Sequence, residues 1–292
     1  MTRIISGLAA VSARYDALFV DLWGCVHNGV AAFPAAVAAL QAYRRGGGTV
    51  VLVTNAPRPK ADVMRQLERI GVPRDAWDEI ATSGDAAQFA MASGAVGRKV
   101  WHIGAPKDET FFSETAPDIP PVSVERVSLA EAEGIVCTGL FDDLTETPED
   151  YRGRLMLAVQ NRLPMLCANP DIVVDWGDRR LWCAGALAQM YEEMGGGALY
   201  FGKPHPPIYD LARRRLQALG RDVAEDRILC IGDGIGTDVA GAAGEGLDCL
   251  FITGGLAADQ FGADPANPEP AMLEAWLEAR QAAPCWTIGH LR

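Results

Sequence analysis

Short apolar runs that lack polar alternation constrain this chain more than any other feature. Tyr15 to Val20, Thr49 to Thr54, Ala198 to Phe201, Arg227 to Ile231 and Cys249 to Thr253 are continuous, so strands made from them are buried on both faces. Helix-spaced segments separate them. Pro34 to Arg45 carries Val37, Leu40 and Tyr43 and is stopped by Gly46-Gly47-Gly48; Pro207 to Leu219 and Gly236 to Gly244 follow later. Such strands alternating with helices predict an α/β fold, a doubly wound parallel sheet covered by helices. With 292 residues, 49% hydrophobic and 22% charged, the chain can bury one large core or two modest ones.

Residues 81–195 have a pattern of their own. Lys99 to Ile103, Val122 to Val124, Gly134 to Thr138 and Pro164 to Cys167 read as strands, with helices around Pro148 to Asn161 and Trp182 to Met194. The segment has the size of a small α/β domain, and the parts flanking it share one strand-end pattern. It therefore reads as an insertion, with residues 1–80 and 196–292 forming one core and 81–195 a cap.

Charge excludes some function classes. Lys and Arg number 26 against 38 Asp and Glu, a formal net charge of −12, which argues against a general electrostatic hold on nucleic acid or anionic lipid. There is no run of about 18 apolar residues, and the first ten residues lack a basic flank followed by an apolar stretch. The expectation is a soluble, cytoplasmic protein with no membrane partner. The 7 cysteines are scattered and form no C-x-x-C pair, so they are expected at buried, reduced packing positions.

Parallel sheets of this kind bind ligands at the carboxyl ends of their strands. Asp21, Thr54-Asn55, Gly202-Lys203 and Gly232-Asp233, with Asp238 shortly after, all stand there. Taken singly, Asp21 could cap a turn, Lys203 could be a solvated loop lysine, and Gly232-Asp233-Gly234 could be a plain turn. Gly234-Ile235-Gly236 is not a dinucleotide loop, because position 239 is Val. Taken together, side-by-side carboxylates need a cation between them, hard oxygen ligands suit Mg²⁺, and a lysine with a threonine suits a phosphoryl group. The set points to Mg²⁺-dependent phosphoryl transfer with an Asp free to act as nucleophile.

The order of these segments resembles the haloacid dehalogenase superfamily. The insertion after Thr54-Asn55, with Ala168-Asn169-Pro170-Asp171 and Cys183-Ala184-Gly185-Ala186-Leu187, is similar to its class IIA, NagD-like and nitrophenylphosphatase-like members, which carry an α/β cap of the C2 type. The resemblance covers nearly the whole chain. It implies a Mg²⁺-dependent phosphatase that hydrolyses a small phosphate monoester, such as a sugar, nucleotide or cofactor phosphate, through an aspartyl-phosphate. Asp21 would be the nucleophile. Asp21, the Trp23 carbonyl and Asp233 would bind Mg²⁺, and Asp238 would hold metal waters and orient Lys203. Thr54, Asn55 and Lys203 would bind the phosphoryl group. The partner would be a small phosphorylated metabolite, and the resemblance suggests a cap-mediated homodimer.

One position departs from the pattern. Most family phosphatases have a second Asp two residues after the nucleophile as acid and base, and here that residue is Trp23. An indole moves no proton at neutral pH, and losing positioned acid–base help costs roughly 10² to 10⁴ in rate. Two readings follow: an enzyme with a substitute acid, or a weak or inactive protein that binds phosphate ligands. His27 and His205 are candidate substitutes, since an unperturbed imidazole titrates near neutral pH. Asn169 and Asp171 are expected to face the substrate, although Asn-Pro-Asp is also a turn signature. Arg179-Arg180 reads as a surface pair or an anion site, and Trp176, Trp182 and Trp286 as core or interface residues.

Overall fold

The computed structural model describes residues 2–121 and 123–292, so Val122 of the expected strand 122–124 lies outside the described residues. Strands in chain order are β1 (Arg3–Ile4), β2 (Ala17–Val20), β3 (Thr49–Thr54), β4 (Glu79–Thr82), β5 (Lys99–Ile103), β6 (Glu125–Arg126), β7 (Gly134–Cys137), β8 (Pro164–Cys167), β9 (Val173–Trp176), β10 (Arg179–Trp182), β11 (Gly197–Tyr200), β12 (Ile228–Gly232), β13 (Asp248–Ile252) and β14 (Trp286–Ile288). A seven-stranded sheet has the order β1-β14-β13-β12-β2-β3-β4, and every pair in it is parallel. A five-stranded sheet, order β11-β8-β7-β5-β6, is also parallel throughout. Between β8 and β11 the antiparallel hairpin β9–β10 stands apart from both sheets.

The central strands are buried along their whole length, as continuous apolar runs require. Successive side chains then go to opposite faces. Leu18, Val20, Val50 and Leu52 join the core that includes Leu40 and Val63, from helices Pro34–Arg45 and Lys60–Ile70. Phe19, Val51 and Val53 join the core on the other face, with Ile208, Leu211 and Leu273 from helices Pro206–Ala218 and Pro270–Ala279. In the smaller sheet, Ile135 and Met165 pack under helices Arg152–Gln160 and Ala184–Glu193, while Val136 and Leu166 pack against Ala87 and Met91 of helix Ser83–Ala92.

Two boundaries differ from the sequence reading. Ala81 and Thr82, assigned to the cap, complete edge strand β4 of the larger sheet. Ala198 to Phe201, assigned to the core, becomes the edge strand β11 of the smaller sheet, with Gly197 and Leu199 exposed and Ala198 and Tyr200 half-buried. An apolar run of four residues is equally acceptable at the edge of either sheet; the pairing with β8 decides. Among the described residues no helix is long and apolar enough to cross a membrane.

Arg215 fastens helix Pro206–Ala218 to the β4 edge. Only 3% exposed, it donates to Asp85 Oδ2 and the Ile80 carbonyl, both at 2.6 Å, and to both Asp118 oxygens at 2.9 and 3.0 Å. Removing the guanidinium leaves the buried Asp85 without its counter-ion. Arg215→Met is expected to cost about 3–5 kcal/mol in urea unfolding, with part of the loss recovered by adding Asp85→Asn.

Candidate active site

The larger sheet reverses its winding between β2 and β12: the chain runs outward through β3 and β4 on one side and through β13 and β14 on the other. The strand ends at such a switch point leave a crevice. Val20 lies opposite Ile231, and the Asp21 N–H donates to the Ile231 carbonyl at 2.8 Å, so Asp21 and Asp233 emerge side by side. Thr54 and Asn55 leave the end of β3, and Lys203 enters from the loop after β11.

The Lys203 ammonium, 4% exposed, donates to Asp21 Oδ1 at 2.6 Å and Asp238 Oδ1 at 2.7 Å. Burial by itself would lower its pKa, but the two carboxylates override that and hold it above the usual lysine range. Asp238 is oriented in turn, its Oδ2 accepting from the Gly234 N–H and the Thr237 hydroxyl at 3.0 and 3.3 Å. It sits in a π-helical turn, Ile235–Val239, that runs into the short helix Ala240–Gly244. Burial raises Asp21 to about 7 in spite of Lys203. Burial, then the charges of Asp21 and Asp238, raise Asp233 well above the carboxylate range.

This donor set fits a hard dication. Ligand atoms of Asp21, Asp233 and Cys25 lie within 4.8 Å of one another. Burial keeps the Cys25 thiol protonated, which leaves two hard carboxylates crowded together, with the Leu256 N–H donating to Asp233 Oδ2 at 2.9 Å. A divalent cation between them relieves the repulsion.

Asn55 and Gly202 lock the lysine loop. Asn55 Oδ1 accepts from the Lys203 N–H at 2.7 Å, while its Nδ2 donates to the Lys203 carbonyl at 3.1 Å and to Asp171 Oδ1 at 2.8 Å. A Cβ on Gly202 would lie 2.4 Å from Asn55 Oδ1 and 2.7 Å from Pro170, so only glycine passes between core and cap here. Thr54, buried, lines the same cavity, about 170 Å³ in volume, as Asp21, Asn55, Lys203 and Asp233; Trp23 from the loop after β2, Asp171 from the cap and Val173 from the hairpin line it as well.

Residues 18–116 match the family model of haloacid dehalogenase-like hydrolases and residues 200–274 that of HAD-like hydrolases. A solved hydrolase of the haloacid dehalogenase-like family from Brucella suis 1330 is 43% identical, superposes with a TM-score of 0.86, and is matched over 99% of this chain and 100% of its own. The chain belongs to this family. A curated relative, the D-glycerol 3-phosphate phosphatase of Mycobacterium tuberculosis, is 25% identical over 85% of this chain and 66% of its own length, so this chain spans about two thirds of that relative. A solved glycerol phosphate phosphatase from Mycobacterium tuberculosis, in complex with magnesium, is 23% identical, with a TM-score of 0.64 over 87% of this chain and 74% of that one; it shares the fold. In this haloacid dehalogenase-like hydrolase the α/β cap sits between the second and third strand-end segments, the arrangement of class IIA.

The structure brings Asp21, Trp23, Thr54, Asn55, Asp171, Lys203, Asp233 and Asp238 to one cavity. His27 and His205, the candidate acids, do not line it. His27 is 1% exposed, accepts from the Gly29 N–H at Nδ1 (3.0 Å) and packs edge-on against Trp23; burial, with Arg58 nearby, lowers it to about 4. It is neutral at pH 7 and braces the loop. His205 stacks on Tyr200 at the start of helix Pro206–Ala218, and burial lowers its pKa as well. Asn55 lines the cavity, and its side-chain amide is engaged with Lys203 and Asp171. Asn169 accepts from the Asp171 N–H at 3.0 Å, which forms the Asn-Pro-Asp turn; Asp171 lines the cavity, whereas Asn169 lines the neighbouring one.

Arg180 pairs with Asp175 across the hairpin at the surface. Trp286 is buried, whereas Trp176 and Trp182 are about two-fifths exposed. Six of the cysteines are buried as expected; Cys285 is exposed and donates to Asp248. Sequence reasoning missed Gly254-Gly255-Leu256, although it follows an apolar strand as the other segments do. A Cβ on Gly255 would stand 2.0 Å from Asp233 Oδ2, so this loop shapes the carboxylate's seat. In metal-free buffer at neutral pH, Asp233→Asn is expected to raise the melting temperature, since it removes a buried acid that folding forces to stay protonated beside Asp21 and Asp238. Scanning calorimetry with and without Mg²⁺ checks this: the variant should also lose the stabilisation that Mg²⁺ gives the parent.

Proposed function

We propose that this protein hydrolyses small phosphate monoesters through nucleophilic attack by Asp21. One observation carries the reading: the Lys203 ammonium bridges Asp21 and Asp238 at the switch point of the sheet, with Thr54 and Asp233 on the same cavity. Curated and solved relatives that are phosphatases support it. Asp21, the main-chain carbonyl of Trp23, Asp233 and, through water, Asp238 are the residues that would hold Mg²⁺. When bound, it supplies positive charge against the phosphoryl oxygens. The cap hairpin over the cavity favours a small phosphorylated metabolite over a macromolecule.

In the first step an Asp21 oxygen forms a bond to phosphorus, the ester P–O bond breaks, and its electron pair leaves with the alkoxide. Thr54 and the Lys203 ammonium hold the phosphoryl group while charge develops. Asp171 takes over the proton transfer that Trp23 cannot perform. It lines the cavity from the cap, and burial raises it to about 6 against the pull of Lys203 and Asn55, close to the operating range for an acid at neutral pH. It gives its proton to the leaving oxygen. In the second step it accepts a proton from the water that attacks phosphorus, the aspartyl P–O bond breaks, and Asp21 and inorganic phosphate are released.

Trp23 favours a second reading, a protein that keeps the phosphate site but turns over weakly or not at all. Phosphate release from a panel of monoesters with Mg²⁺ and with EDTA separates the two: the enzyme reading expects Mg²⁺-dependent release that Asp21→Asn abolishes, and the binding reading expects none. Asp171→Asn is expected to slow alkyl phosphates by roughly 10² to 10⁴ while slowing nitrophenyl phosphate far less, because nitrophenolate leaves without a proton. A plot of log kcat against leaving-group pKa, steeper in the variant than in the parent, checks this; parallel lines would remove Asp171 from the acid role.

A further inference from the structure

The loop that leaves β2 folds back on itself around His27. The His27 N–H donates to the Leu22 carbonyl at 3.1 Å and the His27 carbonyl accepts from the Gly24 N–H at 2.9 Å, so Trp23 and His27 run side by side as a parallel bridge. The side chain closes the other half of the loop. Its Nδ1 accepts from the Gly29 N–H at 3.0 Å, and its ring meets the Trp23 indole edge-on, with centroids 5.0 Å apart. With Nδ1 accepting, the ring proton sits on Nε2.

Gly29 has a φ of +83°, and a Cβ there would lie 2.3 Å from the Trp23 ring and 2.8 Å from that of Trp176. Only glycine fits between these indoles. The cap hairpin bears on the same turn, since the Gly177 N–H donates to the Asn28 carbonyl at 3.2 Å. The Trp23 ring is thus packed against the His27 ring and the Gly29 main chain at once.

These contacts meet in one peptide group. The Trp23–Gly24 bond is trans, so its carbonyl points opposite to the Gly24 N–H, which is tied to His27. Among the described residues no main-chain N–H donates to that carbonyl. Trp23 and Gly24 line the cavity of Asp21 and Asp233, and a Cβ on Gly24 would lie 2.1 Å from Asp233 Oδ2. The peptide is packed against the carboxylate with its oxygen unspent.

We propose that His27 is a positioning residue: through its Nδ1 bond to Gly29 and its contact with Trp23, it fixes the Trp23–Gly24 peptide so that the Trp23 carbonyl faces a divalent cation held by Asp21 and Asp233. The proposal rests on the phosphatase reading's assignment of that carbonyl to Mg²⁺. It also gives the indole of Trp23 a task, since a flat ring packed between His27 and Gly29 keeps the main chain of residue 23 from turning.

Titration calorimetry of Mg²⁺ into metal-stripped protein tests this without turnover. His27→Leu and His27→Asn have nearly the same shape, but only the asparagine Oδ1 can accept from Gly29. His27→Leu should bind Mg²⁺ about 10- to 100-fold more weakly than the parent, and His27→Asn should recover most of that loss. A role confined to stability would lower the urea midpoint and leave the affinity of the folded protein unchanged. A His27→Leu protein that binds Mg²⁺ as tightly as the parent, or no more weakly than His27→Asn, overturns the proposal. A second measurement needs no variant: in the metal-free parent the Gly24 and Gly29 amides should exchange with solvent slowly, and fast exchange at both overturns a peptide fixed in advance. A parent that binds Mg²⁺ with this dependence on residue 27 yet releases no phosphate overturns the phosphatase reading alone, and a parent that binds no Mg²⁺ overturns both.

Discussion

The site depends on one ammonium held between two carboxylates in a place with almost no water. Lys203 and Asp238 are both buried, and Asp21 nearly so, and each is paid for by the others. Charge in a low-dielectric crevice is expensive when unpaired and strong when paired, so each member of the arrangement depends on the other two. Asp233 remains the crowded member, and its crowding gives a hard dication a reason to bind.

The core and cap divide the labour. The switch point of the parallel sheet brings Asp21 and Asp233 together by backbone pairing alone, with Val20 opposite Ile231. The cap contributes the Asn169-Pro170-Asp171 turn, the tryptophans of the hairpin, and the hydrogen-bonded set of His102, Thr138 and Asp108. Asn55 joins the two, because one amide group fixes the Lys203 main chain and reaches Asp171 at the same time. Cap position and lysine position are therefore coupled through a single side chain.

Much of this is legible in the sequence. Continuous apolar runs such as Thr49–Thr54 announced strands buried on both faces, and the polar residues at their ends marked the crevice at the switch point of the sheet. The histidines were not legible. His27 and His205 have a useful chemistry in water, but burial and a fixed hydrogen bond or stacking partner remove it, and neither effect is written in local sequence. Strand β11 was assigned to the wrong sheet for a similar reason: an edge strand is defined by its neighbour, and Gly197–Tyr200 carries no mark of β8.

By itself the sequence determined the fold class, the strand-end carboxylates and lysine, and an indole in place of a carboxyl at position 23, because periodicity and residue chemistry are local properties. Only the tertiary structure decided which titratable groups face the cavity, that Asn55 spends its amide on the chain rather than on a ligand, and that Asp108 lies buried with one oxygen unpaired. Those outcomes turn on burial and on contacts between residues such as Asn55 and Asp171, 116 positions apart, which no local pattern encodes.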